Sequence, residues 1–190
     1  MLSSADAFTR VLEVLDRMEI RYLVGGSVAS SIHGISRPTM DADIVADLKW
    51  GQAEEFSSLL QPDFYADAEM IREALTRRRS FNLIHYASTF KIDVFPLQSD
   101  EYSRASFARR EFELSRSFGE QPIECAVATA EDTILRKLEW YRSGGETSER
   151  QWNDLRGVVM VSGPRLDLTY LRHWAKYLRV DDLLERLLGE

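Results

Sequence analysis

Met40-Asp41-Ala42-Asp43-Ile44-Val45-Ala46-Asp47 decides how the chain is read. Pro38 imposes an extended approach, and the segment that follows alternates acidic and apolar residues as a strand does. Side chains two apart on a strand project from one face. Asp41 and Asp43 therefore share a face, and Ala42 and Ile44 point the other way, into a core. Two neighbouring carboxylates repel, and burial beside a sheet sharpens the conflict. A divalent cation removes it. Mg²⁺ prefers hard oxygen ligands, typically one or two carboxylates plus substrate phosphates.

Outward from this strand, two further segments matter. Upstream, Leu23-Val24-Gly25-Gly26-Ser27 places a double glycine between a short apolar run at 21–24 and a short helix expected near 28–33. Glycines allow a backbone to approach a ligand closely. The N–H groups of a following helix favour anions such as phosphate, and Ser27 can donate to a phosphate oxygen or cap the helix. The motif lacks the Lys-Ser/Thr of a Walker loop and the third glycine of a dinucleotide fingerprint. Downstream, Phe90-Lys91-Ile92-Asp93-Val94-Phe95 holds an acid inside an apolar strand, where propensity and desolvation disfavour it. If this strand neighbours the first, Asp93 joins Asp41 and Asp43, and three acids on adjacent strands suit metal-assisted phosphoryl displacement. With 14 aspartates in the chain, about one Asp-x-Asp pair arises by chance, so its context carries the reading.

The remaining sequence supplies a frame. Phe8, Val11, Leu12, Leu15 and Met18 give a helical face over 3–19, capped by Ser3 or Ser4. That helix is expected first, and the 28–33 helix is expected to end at Gly34, a residue that tolerates the left-handed helix-terminating conformation. Helices are expected over 51–60, 68–78 and 100–109. Strands are expected over 81–87 and 90–95, joined at Ser88-Thr89, and near 111–116 and 122–127. From Thr129 the texture is helical: Thr129 and Asp132 resemble a capping box, Ser143-Gly144-Gly145 breaks the helix, and helices follow near 148–161, 167–178 and 180–188. This predicts an α+β fold, a mixed β-sheet flanked by helices with a helical C-terminal half. Residues 1–128 form the α/β core, and 129–190 a helical region packed on it as one unit.

Composition narrows the classes. The chain has 190 residues, 24 Lys+Arg against 31 Asp+Glu, and a net charge of -7. A whole-surface nucleic-acid binder is usually basic, so DNA is not an expected partner, although a local basic groove for RNA is compatible. A single cysteine, Cys125, leaves no intrachain disulfide and no cysteine-rich zinc site. No apolar run reaches about 18 residues, so no membrane span is expected. The opening Met-Leu-Ser-Ser-Ala-Asp lacks the basic and apolar pattern of a signal peptide, which points to the cytoplasm. Arg77-Arg78-Arg79, Arg104, Arg109, Arg110 and Arg116 are candidate RNA contacts, but their simpler role is to offset nearby acids. His33 and His85 read as structural, and the C-terminal aromatics mostly as packing residues.

Taken together, Leu23–Ser27, Arg37-Pro38-Thr39-Met40-Asp41-Ala42-Asp43-Ile44 and Lys91-Ile92-Asp93-Val94 resemble the minimal nucleotidyltransferases of the DNA polymerase beta superfamily. The Arg-x-Thr-x-Asp-x-Asp form is most similar to the AbiEii/MenT-like toxin nucleotidyltransferases. The later block Ala130–Leu138, with Arg150 and Asp154-Leu155, resembles that group's helical segment. The resemblance implies a nucleotidyltransferase fold that moves NMP from an NTP to a hydroxyl of tRNA or protein, with Mg²⁺ or Mn²⁺ as cofactor. It also implies a setting in a toxin–antitoxin or abortive-infection system, with a cognate toxin or antitoxin as partner. Asp41, Asp43 and Asp93 would be catalytic and metal-binding. Gly25, Gly26, Ser27, Arg37, Lys137 and Asp154 would bind nucleotide: Arg37 would contact a phosphate or an acid, Lys137, also catalytic, would meet the triphosphate, and Asp154 would support the site. The alternative is a non-catalytic module that binds nucleotide or protein. The gap of about 50 residues between Asp43 and Asp93 implies helices inserted between their strands and leaves the nucleobase pocket unassigned.

Overall fold

Helix α1 (Ser4–Arg17) begins on a reciprocal cap: the Asp6 N–H donates to Ser3 Oγ, and the Ser3 N–H donates to the Asp6 carboxylate. Its apolar face buries Phe8, Val11, Leu12 and Leu15. The structure, a computed structural model, describes residues 3–189; Met1 and Leu2, with which the stretch read for a leader begins, lie outside them.

The chain continues through β1 (Tyr22–Val24), α2 (Gly26–His33), β2 (Asp41–Ala46), a 3₁₀ turn at Trp50–Gln52, α3 (Ala53–Leu60), β3 (Phe64–Tyr65), α4 (Ala68–Arg77), β4 (Phe81–His85) and β5 (Lys91–Pro96). Then come α5 (Glu101–Ala108), β6 (Glu111–Ser115), β7 (Ile123–Val127), α6 (Ala130–Ser143), α7 (Glu149–Ser162), a 3₁₀ turn at Gly163–Arg165, α8 (Leu168–Leu178) and α9 (Asp181–Gly189). Among the described residues the strands form one mixed sheet in the order β3-β4-β5-β2-β1-β7-β6. The β2–β5 and β1–β7 pairs are parallel and the rest antiparallel. The parallel β2–β5 pair needs a crossover, and the segment with α3, β3, α4 and β4 supplies it.

Two apolar clusters hold the layers together. One runs from Ala7 to Ala128 and includes the inward residues of β2 and β5: Ala42, Ile44, Ile92 and Val94. The other joins Ile134, Leu135 and Leu138 to Leu155, Val158, Leu171 and Leu184, with Tyr102 of α5 inserted among them. Helix α2 bridges the two by packing on α6 and α7.

Four local readings change. Helix α2 starts at Gly26, not near 28. Gly34 does not take the left-handed conformation, because its φ is -136°. What demands glycine there is contact: an added Cβ would lie 2.7 Å from Val158 N and 2.8 Å from Gly157 C. The two-residue strand β3 has no periodicity to read, so nothing in the sequence marked it. Thr129 does cap α6, accepting from Asp132 N at 3.2 Å, but the Asp132 carboxylate serves a buried network instead. It accepts from Thr129 Oγ1 at 2.9 Å and from Tyr170 OH at 2.8 Å. The histidines are structural: His33 Nε2 lies 2.6 Å from Ala128 O, and His85 Nδ1 lies 2.7 Å from Ser88 Oγ. Among the described residues no helix is long and apolar enough to cross a membrane.

Candidate active site

Strand β1 delivers the glycine turn to the carboxylate strand. The Gly25 N–H donates to Asp43 O at 2.9 Å, extending the β1–β2 ladder by one bond. Gly26 then starts α2 at φ +55°, a conformation that favours glycine. An added Cβ at Gly26 would fall 1.7 Å from Asp43 Oδ2. The backbone approach that glycine permits is therefore first of all an approach to the Asp43 carboxylate.

Strand β2 alternates as the sequence requires, with Ala42, Ile44 and Ala46 buried and the intervening side chains half-buried. Thr39 Oγ1 donates to Asp41 Oδ1 at 2.9 Å and fixes that carboxylate. Strand β5 lies parallel to β2 with Asp93 as the register partner of Asp43 and Lys91 as that of Asp41. In-register neighbours of parallel strands share a face, so all three acids stand on one side of the sheet. Lys91 Nζ pairs with Asp93 Oδ2 at 2.7 Å. Burial, then the charges of Asp41 and Asp93, push the Asp43 carboxyl up to about 6, while Lys137 and Lys91 pull it down. The site is thus short of positive charge around Asp43.

A second group anchors this strand pair to the helices. Arg37 forms a fork with Asp154 on α7, Nε to Oδ1 and Nη2 to Oδ2, both at 2.8 Å. Arg37 Nη2 also donates to Ser27 Oγ at 2.8 Å. Lys137 on α6 donates to Asp154 Oδ2 at 2.9 Å. Burial alone would raise the Asp154 carboxyl, but the hydrogen bonds from Arg37 and Lys137 outweigh it and hold the group below its usual range. The Asp154 side chain is only 8% exposed, so its removal leaves the buried Lys137 ammonium and the half-buried Arg37 guanidinium without their shared carboxylate. Asp154→Ala is expected to cost about 3 kcal/mol by denaturant titration, more than an exposed acid would.

These placements sort the sequence candidates. Gly25, Gly26, Asp41, Asp43 and Asp93 come together on the β1–β2–β5 surface. Ser27, Arg37, Lys137 and Asp154 form an adjoining hydrogen-bonded group. Two contributors had no assigned role: Thr39, two residues before Asp41, and Lys91, two before Asp93 on the same strand face. Their i−2 spacing was the available signal. Several arginines offered as RNA contacts already have protein partners: Arg77 with Glu73, Arg78 with Ser99, Arg109 with Glu131, and Arg110 with the Phe107 carbonyl.

The donor set fits a hard divalent cation in kind, two acceptor-only carboxylates on one strand face beside a third. Among the described residues, however, no three His, Cys, Asp or Glu side chains close around a single point. The site is an open pair with a neighbouring acid. Mg²⁺ accepts such a site, because water and substrate phosphates complete its shell.

No family model and no curated protein sequence matches this chain. Solved structures match it in fold. An antigenic nucleotidyltransferase-like protein from Paracoccidioides brasiliensis superposes with a TM-score of 0.53 at 16% identity, over 99% of this chain and 94% of that one. The solution structure of the antibiotic-resistance factor ANT(2'')-Ia gives 0.52 at 11% identity, over 96% of both chains. ANT(2'')-Ia in complex with adenylyl-2''-tobramycin gives 0.51 at 12% identity, over 91% of this chain and 95% of that one. The chain has a nucleotidyltransferase fold.

Proposed function

We propose that the chain is a nucleotidyltransferase that moves NMP from a metal-bound NTP to a hydroxyl acceptor. The carrying observation is the in-register pairing of Asp43 with Asp93, with Asp41 beside them and the Asp43 carboxyl raised by burial and then by their charges. Asp41 and Asp43 would hold Mg²⁺ or Mn²⁺. Such a cation, when bound, neutralises carboxylate and phosphate charge together. The glycine turn and Ser27 would receive phosphate oxygens. Arg37 and Asp154 would position Ser27 and Lys137, leaving the other ammonium hydrogens of Lys137 for the triphosphate. Asp93 would accept the proton of the acceptor hydroxyl. The hydroxyl oxygen bonds to the α-phosphorus, the α–β anhydride bond breaks, and pyrophosphate leaves.

The Arg37-x-Thr39-x-Asp41-x-Asp43 motif supports a narrower reading, a toxin-like enzyme of the cytoplasm with a tRNA or protein acceptor and a cognate partner. ANT(2'')-Ia, captured with adenylyl-2''-tobramycin, supports a small-molecule hydroxyl acceptor as the second candidate class. Each labelled NTP, incubated with Mg²⁺ and with tRNA, cell lysate or aminoglycoside in turn, tests the proposal. Label should transfer to one acceptor class and vanish in Asp93→Ala.

One observation favours a non-catalytic binding module: Lys91 already occupies Asp93 at 2.7 Å. In that case Mg²⁺-dependent NTP binding would persist with no transfer to any acceptor. If Lys91 instead only restrains Asp93 until substrate arrives, Lys91→Ala should keep measurable transfer. Its rate should fall less than about tenfold, as expected for a half-buried ion pair whose lysine still reaches solvent.

A further inference from the structure

Helix α6 and strand β5, which carry Lys137 and Asp93, both lead to the same pair of rings. Phe95 follows Asp93 by two residues, roughly 6.6 Å along the strand, on the same face. Trp140 follows Lys137 by three residues, so it lies on the same side of α6 one turn on. The two ring centroids are 6.2 Å apart with planes at 67°. Trp140 remains 56% exposed. A lone exposed aromatic needs no explanation. Trp140 differs in being braced by Phe95 and in standing beyond the proposed phosphate site along both elements that frame it.

We propose that Trp140, braced by Phe95, is the stacking platform for a nucleobase bound at this site. This rests on the nucleotidyltransferase reading above and fills the position that the sequence left unassigned. The ligand expected there carries both phosphates and a flat ring, and a tryptophan face binds any base through its π-surface. Arg136, one turn before Trp140 on the same helix, is engaged elsewhere. It pairs with Glu139 and Ser103, both at 2.7 Å, and stacks over Tyr102. Stacking itself does not read base edges, so the platform is expected to select weakly among the four bases.

The base can belong to the incoming nucleotide or to the end of an RNA acceptor, and calorimetry separates these. Wild type, Trp140→Ala and Trp140→Phe are titrated, with Mg²⁺ present, with tripolyphosphate, a non-hydrolysable NTP analogue and a short oligoribonucleotide. Trp140 is largely exposed, so both variants should melt with wild type. Trp140→Ala should weaken the analogue about tenfold, the size of one base–aromatic stack, and leave tripolyphosphate unchanged. Trp140→Phe should recover most of the loss. A loss confined to the oligoribonucleotide would place the base on the acceptor and uphold the platform. Unchanged binding of both base-bearing ligands in Trp140→Ala, with tripolyphosphate binding intact, would overturn it. Failure of tripolyphosphate and analogue alike to bind wild type would instead remove the functional reading beneath it, and the platform with it.

Discussion

Asp43→Asn is expected to raise the melting temperature in EDTA near pH 7 while abolishing nucleotidyl transfer. The Asp43 carboxyl titrates at about 6 in the folded chain against 3.8 for the free group, because it is buried and faces Asp41 and Asp93. A raised acid favours the folded state when protonated. That benefit is full below the unfolded value and is lost as pH rises toward about 6. Above that, the ionised carboxylate costs up to about 3 kcal/mol. Asparagine keeps the shape without the charge. The gain corresponds to roughly 5–10 °C for a chain of this size. Added Mg²⁺ should reverse the order, stabilising wild type through binding and leaving the variant almost unmoved. A variant that melts below wild type in EDTA would mean that Asp43 is satisfied without a cation.

Gly26→Ala is expected to cost about 2–4 kcal/mol and to reduce transfer at least about 100-fold, for a reason that Gly25→Ala does not share. At Gly26 a methyl group would sit 1.7 Å from the Asp43 carboxylate oxygen, in a backbone conformation with φ +55°. Strain and collision act together, and Asp43 must turn away from its position beside Asp93. At Gly25 no atom lies within 4 Å of an added Cβ, and φ is -121°. Gly25→Ala should therefore stay within about 1 kcal/mol of wild type. Measuring both variants by denaturant titration and by label transfer separates a crowded carboxylate from a generally intolerant turn. Equal losses in the two would contradict the contact.

Much of the frame was legible because it is written locally. The Asp41–Ala46 alternation, the apolar face of α1 and the Ser3 and Thr129 caps each lie within one helix or one strand. The placement of Asp93 beside Asp43 was legible for a related reason: an acid inside an apolar strand is costly enough to need an explanation. Tertiary facts were not legible. The Arg37–Asp154 fork joins residues 117 apart, and no local pattern pairs one arginine with one aspartate among many. Gly34 does end its helix, but the sequence offers the left-handed conformation as the reason for glycine because it does not show the approach of α7. Lys91 was visible only as a spacing, two residues before Asp93 on one strand face; that its ammonium closes on that carboxylate is a matter of side-chain placement.

A cation is needed at this site only if Asp43 is a carboxylate under pressure from its neighbours. Carbon-13 titration of the Asp43 side-chain carboxyl measures this directly, in EDTA, in saturating Mg²⁺, and in Asp93→Asn. The expected midpoint is about 6 in EDTA, and it should fall both when Mg²⁺ is added and when the charge of Asp93 is removed. A midpoint in the ordinary carboxylate range, indifferent to the metal and to residue 93, would contradict it.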